Sequence, residues 1–334
     1  MARPTIKDVS KLAGVSIATV SNVVNGHPNV TDSTRSKVED AIHKLGYQAN
    51  RAARSLPAGQ TGLLGYRMPD GKRLNVSLDT FLHQIVEHAG AIGLEVLLFA
   101  PRPGQTEQEA YSEVLIRGGV DGFVLSGIDY HDPVVKYLLE RKVPFAAFGR
   151  ADEYPGAAWV DVDGAEGLRL ATEHLIESGR KNVAFIGWPA GSLTGDERYR
   201  GWQQAMLAAG RDIDNATVLR VLDGYEIGIS LTRQLLDSGV DAVACVSDTL
   251  ALGVMAGLRR LDLVPGEEMA VVGFDNVSAG ELVEPGLTSL DQPMADVASE
   301  LVGRLSRILR GENPGQGLLL PPRLVVRGST SIPV

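Results

Sequence analysis

Residues 5–26 read TIKDVSKLAGVSIATVSNVVNG, two short segments of helical periodicity that meet at a glycine. In the first segment Ile6, Val9 and Leu12 recur at the spacing of one helix face. Gly14 supplies a tight turn before the second segment. Two short helices joined by such a turn predict a helix-turn-helix, in which the second helix enters the major groove of DNA.

The second segment has an unusual polar face. Ser16 is a suitable N-cap, and Thr19, Ser21, Asn22 and Asn25 follow it. Short hydrogen-bonding side chains let a helix approach phosphates and bases closely, whereas a merely solvated face usually carries Lys and Glu. This face favours DNA binding over the alternative of a helical hairpin that only packs.

Composition places the chain among ordinary globular proteins. Its 334 residues are 44% hydrophobic and 22% charged, enough for two or three domains with sizeable cores. The single cysteine excludes a disulfide within the chain, which favours a reducing compartment. There is no N-terminal apolar signal segment and no apolar run of ~18 residues, so we expect a cytoplasmic protein without a membrane partner.

Charge is distributed unevenly along the chain. The first sixty residues hold eight Lys/Arg and four Asp/Glu, a net charge of +4. The remaining 24 basic and 37 acidic residues give −13. A basic head on an acidic body indicates that the head meets a polyanion, and an acidic body discourages wrong docking on DNA.

Beyond the head the pattern changes twice. Residues 33–45 predict a third helix, and residues 50–61 form a short helix-prone segment and linker that orders only with help. From Gly62 onward short apolar runs alternate with amphipathic helices, which predicts parallel sheets covered by helices. About 270 residues exceed one such sheet, so the predicted fold class is α/β, with a helix-turn-helix head and a body of two doubly wound parallel-sheet lobes.

The candidate enzyme motifs in the sequence do not match the spacing that catalysis requires. The run from His83 to His88 has one residue too many for an inverted zincin box, and Gly65 to Lys72 lacks the spacing of a phosphate-binding loop. No Gly-x-Ser-x-Gly sequence occurs. We therefore expect no catalytic activity, no cofactor and no metal site.

Several motifs resemble the lactose-repressor (LacI/GalR) family over essentially the whole chain. They include Ala-Gly-Val-Ser16, Val-Val-Asn-Gly26, Leu-Gly-Tyr47, Val-Val-Gly-Phe-Asp275 and Pro-Gly-Leu-Thr-Ser289. The resemblance implies a homodimer with two DNA-reading heads and a body like a periplasmic sugar-binding protein. It also implies these domains: a DNA-binding domain 1–49, a hinge helix and linker 50–61, an N-lobe 62–161 plus 291–320, and a C-lobe 162–290 plus 321–334.

The same resemblance assigns DNA contacts. Ile17, Ala18 and Asn22 match base-reading positions, in keeping with thymine-methyl contact and a bidentate amide–adenine pair. Many family members have arginine where Asn22 stands, so the operator sequence stays open. The positions expected to hold the phosphate backbone are Thr5, Ser16, Thr19, Ser21, Asn25, Asn29 and Tyr47.

Hinge residues are expected to touch the minor groove. Leu56 matches a wedge that kinks the duplex, and Asn50 and Ala53 belong to the same short helix, where small side chains let two hinges approach. Pro57 disfavours helical geometry in the residue before it, so the hinge helix is expected to end at Ser55 or Leu56.

Effector contacts are expected where strands end, because ligands of open parallel sheets bind beyond the carboxyl ends of the strands. Arg150, Arg198, Asp248 and Asp275 match the family's effector positions, and their chemistry suits paired sugar hydroxyls. An aromatic residue could cover an apolar ring face, and the candidates are Phe81, Trp188 and Tyr225. This mixture favours a saccharide over a purine.

The resulting hypothesis is a cytoplasmic, nucleoid-associated transcriptional repressor that binds a pseudo-palindromic double-stranded DNA operator as a homodimer. A small effector, expected to be a mono- or oligosaccharide, would bind between the lobes and change operator affinity. The sequence leaves open whether that effector induces or co-represses, and a non-sugar metabolite is an alternative. A solute-binding receptor would lack the basic head, and a sugar-processing enzyme is the third class.

Overall fold

A computed structural model describes residues 4–24, 30–47, 61–68, 76–117 and 119–331 of the chain. The chain forms two compact units, of which the first contains nearly everything up to Gly62 and the second nearly everything after it. Within these described ranges, no helix has the length and apolar character needed to cross a bilayer.

In its described residues, the first unit contains three helices around a small apolar core. They are α1 (Ile6–Ala13), α2 (Ile17–Val24) and α3 (Asp32–Leu45). Each helix contributes to the core, whose buried members are Val9, Val20, Val23, Val38 and Ala41. The predicted helix-turn-helix and third helix are confirmed.

Local hydrogen bonds define the ends of α1 and α2. The backbone N–H of Thr5 donates to Asp8 Oδ2 at 2.8 Å, and Gly14 ends α1 in the left-handed region with φ 68°. Ser16 begins the second helix as predicted, because its Oγ accepts from the Thr19 backbone N–H at 3.1 Å. Caps satisfy backbone groups that so short a helix leaves without partners.

The first lobe of the second unit is built on parallel strands. Its helices α4, α5 and α6 cover Val76–Ala91, Glu107–Ile116 and Pro133–Glu140. Its first five strands are β1 (Leu63–Arg67), β2 (Glu95–Phe99), β3 (Gly122–Ser126), β4 (Phe145–Phe148) and β5 (Trp159–Val162).

The second lobe repeats the plan. Its helices α7 to α11 are Gly164–Glu177, Leu193–Ala208, Tyr225–Asp237, Asp248–Arg259 and Ala279–Leu282. Its strands are β6 (Val183–Gly187), β7 (Val218–Arg220), β8 (Ala242–Cys245), β9 (Ala270–Phe274) and β10 (Thr288–Asp291). Strands β6, β8 and β9 are buried along their whole length, as expected for a parallel sheet covered on both faces.

The chain crosses between the lobes three times. It crosses after β5, after β10 into α12 (Met294–Leu309), which packs on the first lobe, and between β11 (Leu318–Leu320) and β12 (Arg323–Val325). The sheet orders are β11-β5-β4-β3-β1-β2 and β12-β10-β9-β8-β6-β7. All neighbours are parallel except β12, which pairs antiparallel with β10. The expected fold class is confirmed.

Candidate functional site

The first candidate site is the exposed face of α2. Ile17, Ala18 and Asn22, the three residues predicted to read bases, are all exposed there. Ile17 has 44% of its surface exposed although its side chain is fully apolar. A methyl-rich group and an amide on one open helix face can contact base edges in the major groove.

The residues predicted to hold phosphates surround this face. Thr5, Ser16 and Thr19 lie at helix starts, where their hydroxyls also take part in capping. Ser21 is half-buried on α2, and Tyr47 packs against the small core after α3. Five predicted DNA contacts lie outside the described residues: Asn25, Asn29, Asn50, Ala53 and Leu56.

The second candidate site is a cavity of about 740 Å³ between the two lobes. This volume is in the range typical of small-ligand sites, ~300–1,000 Å³. Both lobes contribute to its lining, and four predicted effector contacts are among the lining residues: Trp188, Arg198, Tyr225 and Asp275. The cavity combines apolar surface with a few charged groups.

Arg198 is the central cation of this cavity. It lies on α8 and is only 5% exposed, with its guanidinium carbon 3.6 Å from the centre of the Phe274 ring. Its Nη1 donates to the Val246 carbonyl oxygen at 2.5 Å and lies 4.0 Å from Asp275 Oδ1. Burial lowers the pKa of Arg198, while the nearby carboxylates, Asp275 first among them, favour the charged form.

Two buried carboxyl groups face the same cavity. Burial raises the pKa of Asp275 to about 7 and that of Asp161 to about 6. Asp275 Oδ1 accepts from Gln292 Nε2 at 2.6 Å, and the same amide nitrogen donates to Ser77 Oγ at 3.0 Å. Groups of this kind can accept or donate hydrogen bonds near neutral pH, which suits hydroxyl-rich ligands.

Three predicted effector contacts do not line the cavity. Phe81 is fully buried in the first lobe and packs on Phe148, with the two ring centres 4.6 Å apart. Asp248 is fully buried. Its carboxylate accepts hydrogen bonds from Ser289 Oγ at 2.5 Å and from the Val277 backbone N–H at 2.8 Å, which satisfy it away from water.

Arg150 is the third of these residues. Its Nη1 lies 2.5 Å from Glu197 Oε1, so the guanidinium contacts a carboxylate rather than the cavity. These three side chains make packing and polar contacts away from the cavity lining, and their direct contact with an effector stays a prediction.

Sequence reasoning missed several lining residues. Asp161 is in β5, Asp223 follows β7, and Gln292 follows β10 at a crossing of the chain. The strand-end rule that found Asp275 could have found Asp223 as well. Phe148, at the end of β4, supplies the aromatic surface expected from Phe81.

Comparisons with known families match the two parts of the chain to two domain families. Residues 5–50 match the family described as bacterial regulatory proteins, lacI family, and residues 172–330 match the periplasmic binding protein-like domain. The HTH-type transcriptional regulator CelR of Thermobifida fusca is 35% identical over 98% of both chains. The regulator DegA of Bacillus subtilis is 31% identical, again over 98% of both chains.

Solved structures of known regulators have the same fold as this chain. A lac repressor dimer bound to operator and the anti-inducer ONPF superposes with a TM-score of 0.86 at 27% identity, covering 99% of this chain and 100% of that one. A CelR–cellobiose complex superposes with a TM-score of 0.73 at 32% identity, covering 98% and 100%. These relatives are transcriptional regulators rather than enzymes.

Proposed function

The chain belongs to the LacI family and is a DNA-binding transcriptional regulator, and from this premise we propose that a saccharide bound between its lobes switches its affinity for an operator. The observation that carries the proposal is the cavity in which Arg198 and Asp275 lie 4.0 Å apart among apolar walls. An arginine fork beside a carboxyl group offers donors and acceptors to adjacent hydroxyls.

Further support comes from the shape of the lining. Trp188 and Tyr225 provide ring surface for the apolar face of a sugar, and Gln292 and Ser77 provide neutral polar groups. The structure of a related regulator, CelR, has been solved as a complex with cellobiose. We therefore choose cellobiose as the first candidate effector and other neutral mono- and disaccharides as the next.

On the DNA side, we propose that Ile17, Ala18 and Asn22 read bases in a pseudo-palindromic operator, with one head of a homodimer on each half-site. Because the two heads share one dimer, the second contact is effectively intramolecular. A regulator of operator DNA acts beside the chromosome, so we propose the cytoplasm as its compartment. We also propose the domain limits that the family resemblance implies, with residues 50–61 as the hinge helix and linker.

Allostery in this proposal is a difference in affinity. The effector must bind one arrangement of the lobes better than another, and only that difference can change operator affinity. A coupling of ~1–3 kcal/mol, about 5–150-fold in operator affinity, is sufficient for a switch. We propose an inducing effector that releases the operator; a co-repressing sugar would produce the opposite sign.

The test has two stages. A thermal-shift screen against neutral mono- and disaccharides should find a sugar that raises the unfolding midpoint, because a ligand specific to the native state stabilises it. Operator titrations at fixed salt, with and without that sugar, should then differ at least fivefold. Equal titration curves would contradict the switch. Product analysis of the same incubations should return the sugar unchanged.

The head can be tested separately. Asn22→Ala should cost ~1–3 kcal/mol of discrimination at one base pair of each half-site, because an amide–adenine pair is lost. Affinity for nonspecific DNA, which depends on phosphate contacts, should stay the same. Loss of both affinities in equal measure would assign Asn22 to the backbone instead.

A further inference from the structure

An ion pair joins the two lobes beside the cavity. Arg150 follows β4 of the first lobe, and Glu197 lies in the second turn of α8 in the second lobe. Arg150 Nη1 and Glu197 Oε1 are 2.5 Å apart. The side chains are 18% and 7% exposed, so the pair is largely removed from water.

The start of α8 has a second contact with the first lobe. The backbone N–H of Leu193, the first residue of α8, donates to Asp129 Oδ1 at 2.7 Å. Asp129 lies in the loop that follows β3. One end of a second-lobe helix is therefore held by two loops of the first lobe, those following β3 and β4.

Electrostatics make the ion pair depend on how the lobes are placed. When the lobes separate, water can hydrate both charges. In the observed arrangement little water reaches them, so each charge is stabilised mainly by the opposite charge on the other lobe. Removing one partner leaves an uncompensated buried charge, which is costly, whereas replacing both by neutral groups is often tolerated. Glu197 also contacts Arg200 Nη2 at 3.1 Å, but Arg200 is half exposed and on the same helix.

We propose that Arg150 and Glu197 form an inter-lobe clamp that holds the cleft closed before any effector binds. Arg150 is then a positioning residue for the cleft rather than an effector ligand. Only the expected effect of the clamp on sugar affinity rests on the proposed function. The contact between the lobes does not depend on any ligand. The ion pair then supplies part of the free energy of closing the cleft, so a bound sugar needs to supply less of that free energy.

Hydrogen exchange of the Leu193 amide tests the clamp without a ligand, because this amide is protected by a bond between the lobes. Arg150→Met and Glu197→Gln should each speed its exchange by about tenfold, since each leaves a largely buried charge without its partner on the other lobe. The double variant Arg150→Met/Glu197→Gln should exchange faster than wild type, because the attraction between the lobes is lost, but more slowly than the single variants, because it leaves neither charge behind in the closed form. Arg150 is on the other lobe, so its replacement cannot loosen α8 from within.

A matched control is available in the second lobe. Arg169 pairs with Glu166 and Glu173 on the same helix, α7, so Arg169→Met removes ion pairs that do not join the lobes. Exchange at Leu193 should be unchanged in this variant. Exchange at the wild-type rate in Arg150→Met, or in the double variant, would overturn the clamp.

Sugar affinity gives a second measurement. If cellobiose binds the wild-type chain, both single variants should bind it about tenfold more weakly. The double variant should lie between them and wild type, because the closed arrangement is less populated without the clamp. Equal cellobiose affinity in all four proteins would contradict the clamp. If cellobiose does not bind at all, the choice of sugar fails while the exchange experiment still decides on the clamp.

Discussion

The two lobes share a six-stranded plan but contribute different groups to the cavity between them. The second lobe supplies Arg198 and Asp275, whereas most of what the first lobe supplies is apolar or backbone, such as Phe148 and Gly149. The second lobe is also packed through close backbone contacts. An added Cβ at Gly201 would lie 1.9 Å from the Ala165 carbonyl oxygen. We infer that a tightly packed second lobe positions the ligand-binding groups and the first lobe closes over them.

The largest effect is expected from the cation of the second lobe. Arg198→Met should lower the free energy of unfolding by ~3–5 kcal/mol and abolish the sugar response, because the buried carboxyl groups around it lose their counter-charge. Chemical denaturation and sugar titration measure the two effects. Arg198→Lys should recover part of the stability but little of the sugar response, since a lysine lacks the planar fork. A fully responsive methionine variant would remove Arg198 from the site.

A matched pair of glycines compares packing in the two lobes. Gly201→Ala on α8 should destabilise by ~1–3 kcal/mol or more, because the new methyl group meets the backbone of α7. Gly303→Ala on α12, where nothing lies within 4 Å of the added Cβ, should stabilise by ~0.5–1 kcal/mol through helix propensity. Thermal unfolding of both variants checks the sign. Equal effects would show that the two lobes do not differ in packing at these helices.

The next largest difference in stability between the lobes is expected from two hydrogen bonds. Ser289→Ala in the second lobe removes a bond to the buried Asp248 carboxylate and should cost ~1.5–3 kcal/mol. Tyr66→Phe in the first lobe removes a bond between two neutral hydroxyls, Tyr66 and Ser126, 2.9 Å apart, and should cost ~0.5–1.5 kcal/mol. Urea unfolding of both variants gives the comparison. A larger loss for Tyr66→Phe would reverse the assignment of strong polar contacts to the second lobe.

The smallest effect is a pH dependence. The folded Asp275 holds its proton more tightly than the unfolded one, since burial raises its pKa from 3.8 to about 7. Its contribution therefore lowers the free energy of unfolding as pH rises through this window, and levels off above it. Asp275→Asn should remove this loss, so that the unfolding midpoint falls less between pH 5 and pH 8 in the variant than in wild type. Exposed Glu140→Gln should show the wild-type pH profile.

Local patterns predicted much of the fold. The two helices at Ile6–Ala13 and Ile17–Val24 follow from apolar spacing, a glycine and a serine cap, all of which are local properties. Strands β10 and β11 were not recognised as strands, because they are only four and three residues long and one of them is largely polar. Apolar spacing predicts a helix over residues 197–209, whereas α8 begins at Leu193, because the Ser192 cap precedes any apolar periodicity.

The cavity was predictable only in part. Arg198 and Asp275 were found because residues beyond strand ends meet at one edge of a sheet. The partners of Arg150 and Asp248 could not be found in this way. Glu197 reaches Arg150 from the other lobe, and Ser289 reaches Asp248 from a strand far along the chain. Such contacts depend on how distant segments pack, which no local pattern specifies.

The late position of β11 and β12 bears on how the protein is made. These two strands, residues 318–325, form one outer edge of each sheet. During synthesis both sheets therefore lack one strand until residues 318–325 have left the ribosome. Exposed strand edges readily pair with other chains, and multidomain proteins are most prone to aggregation while incomplete. Truncation before residue 318 would thus leave β5 and β10 uncovered together, which would destabilise both lobes at once rather than one of them.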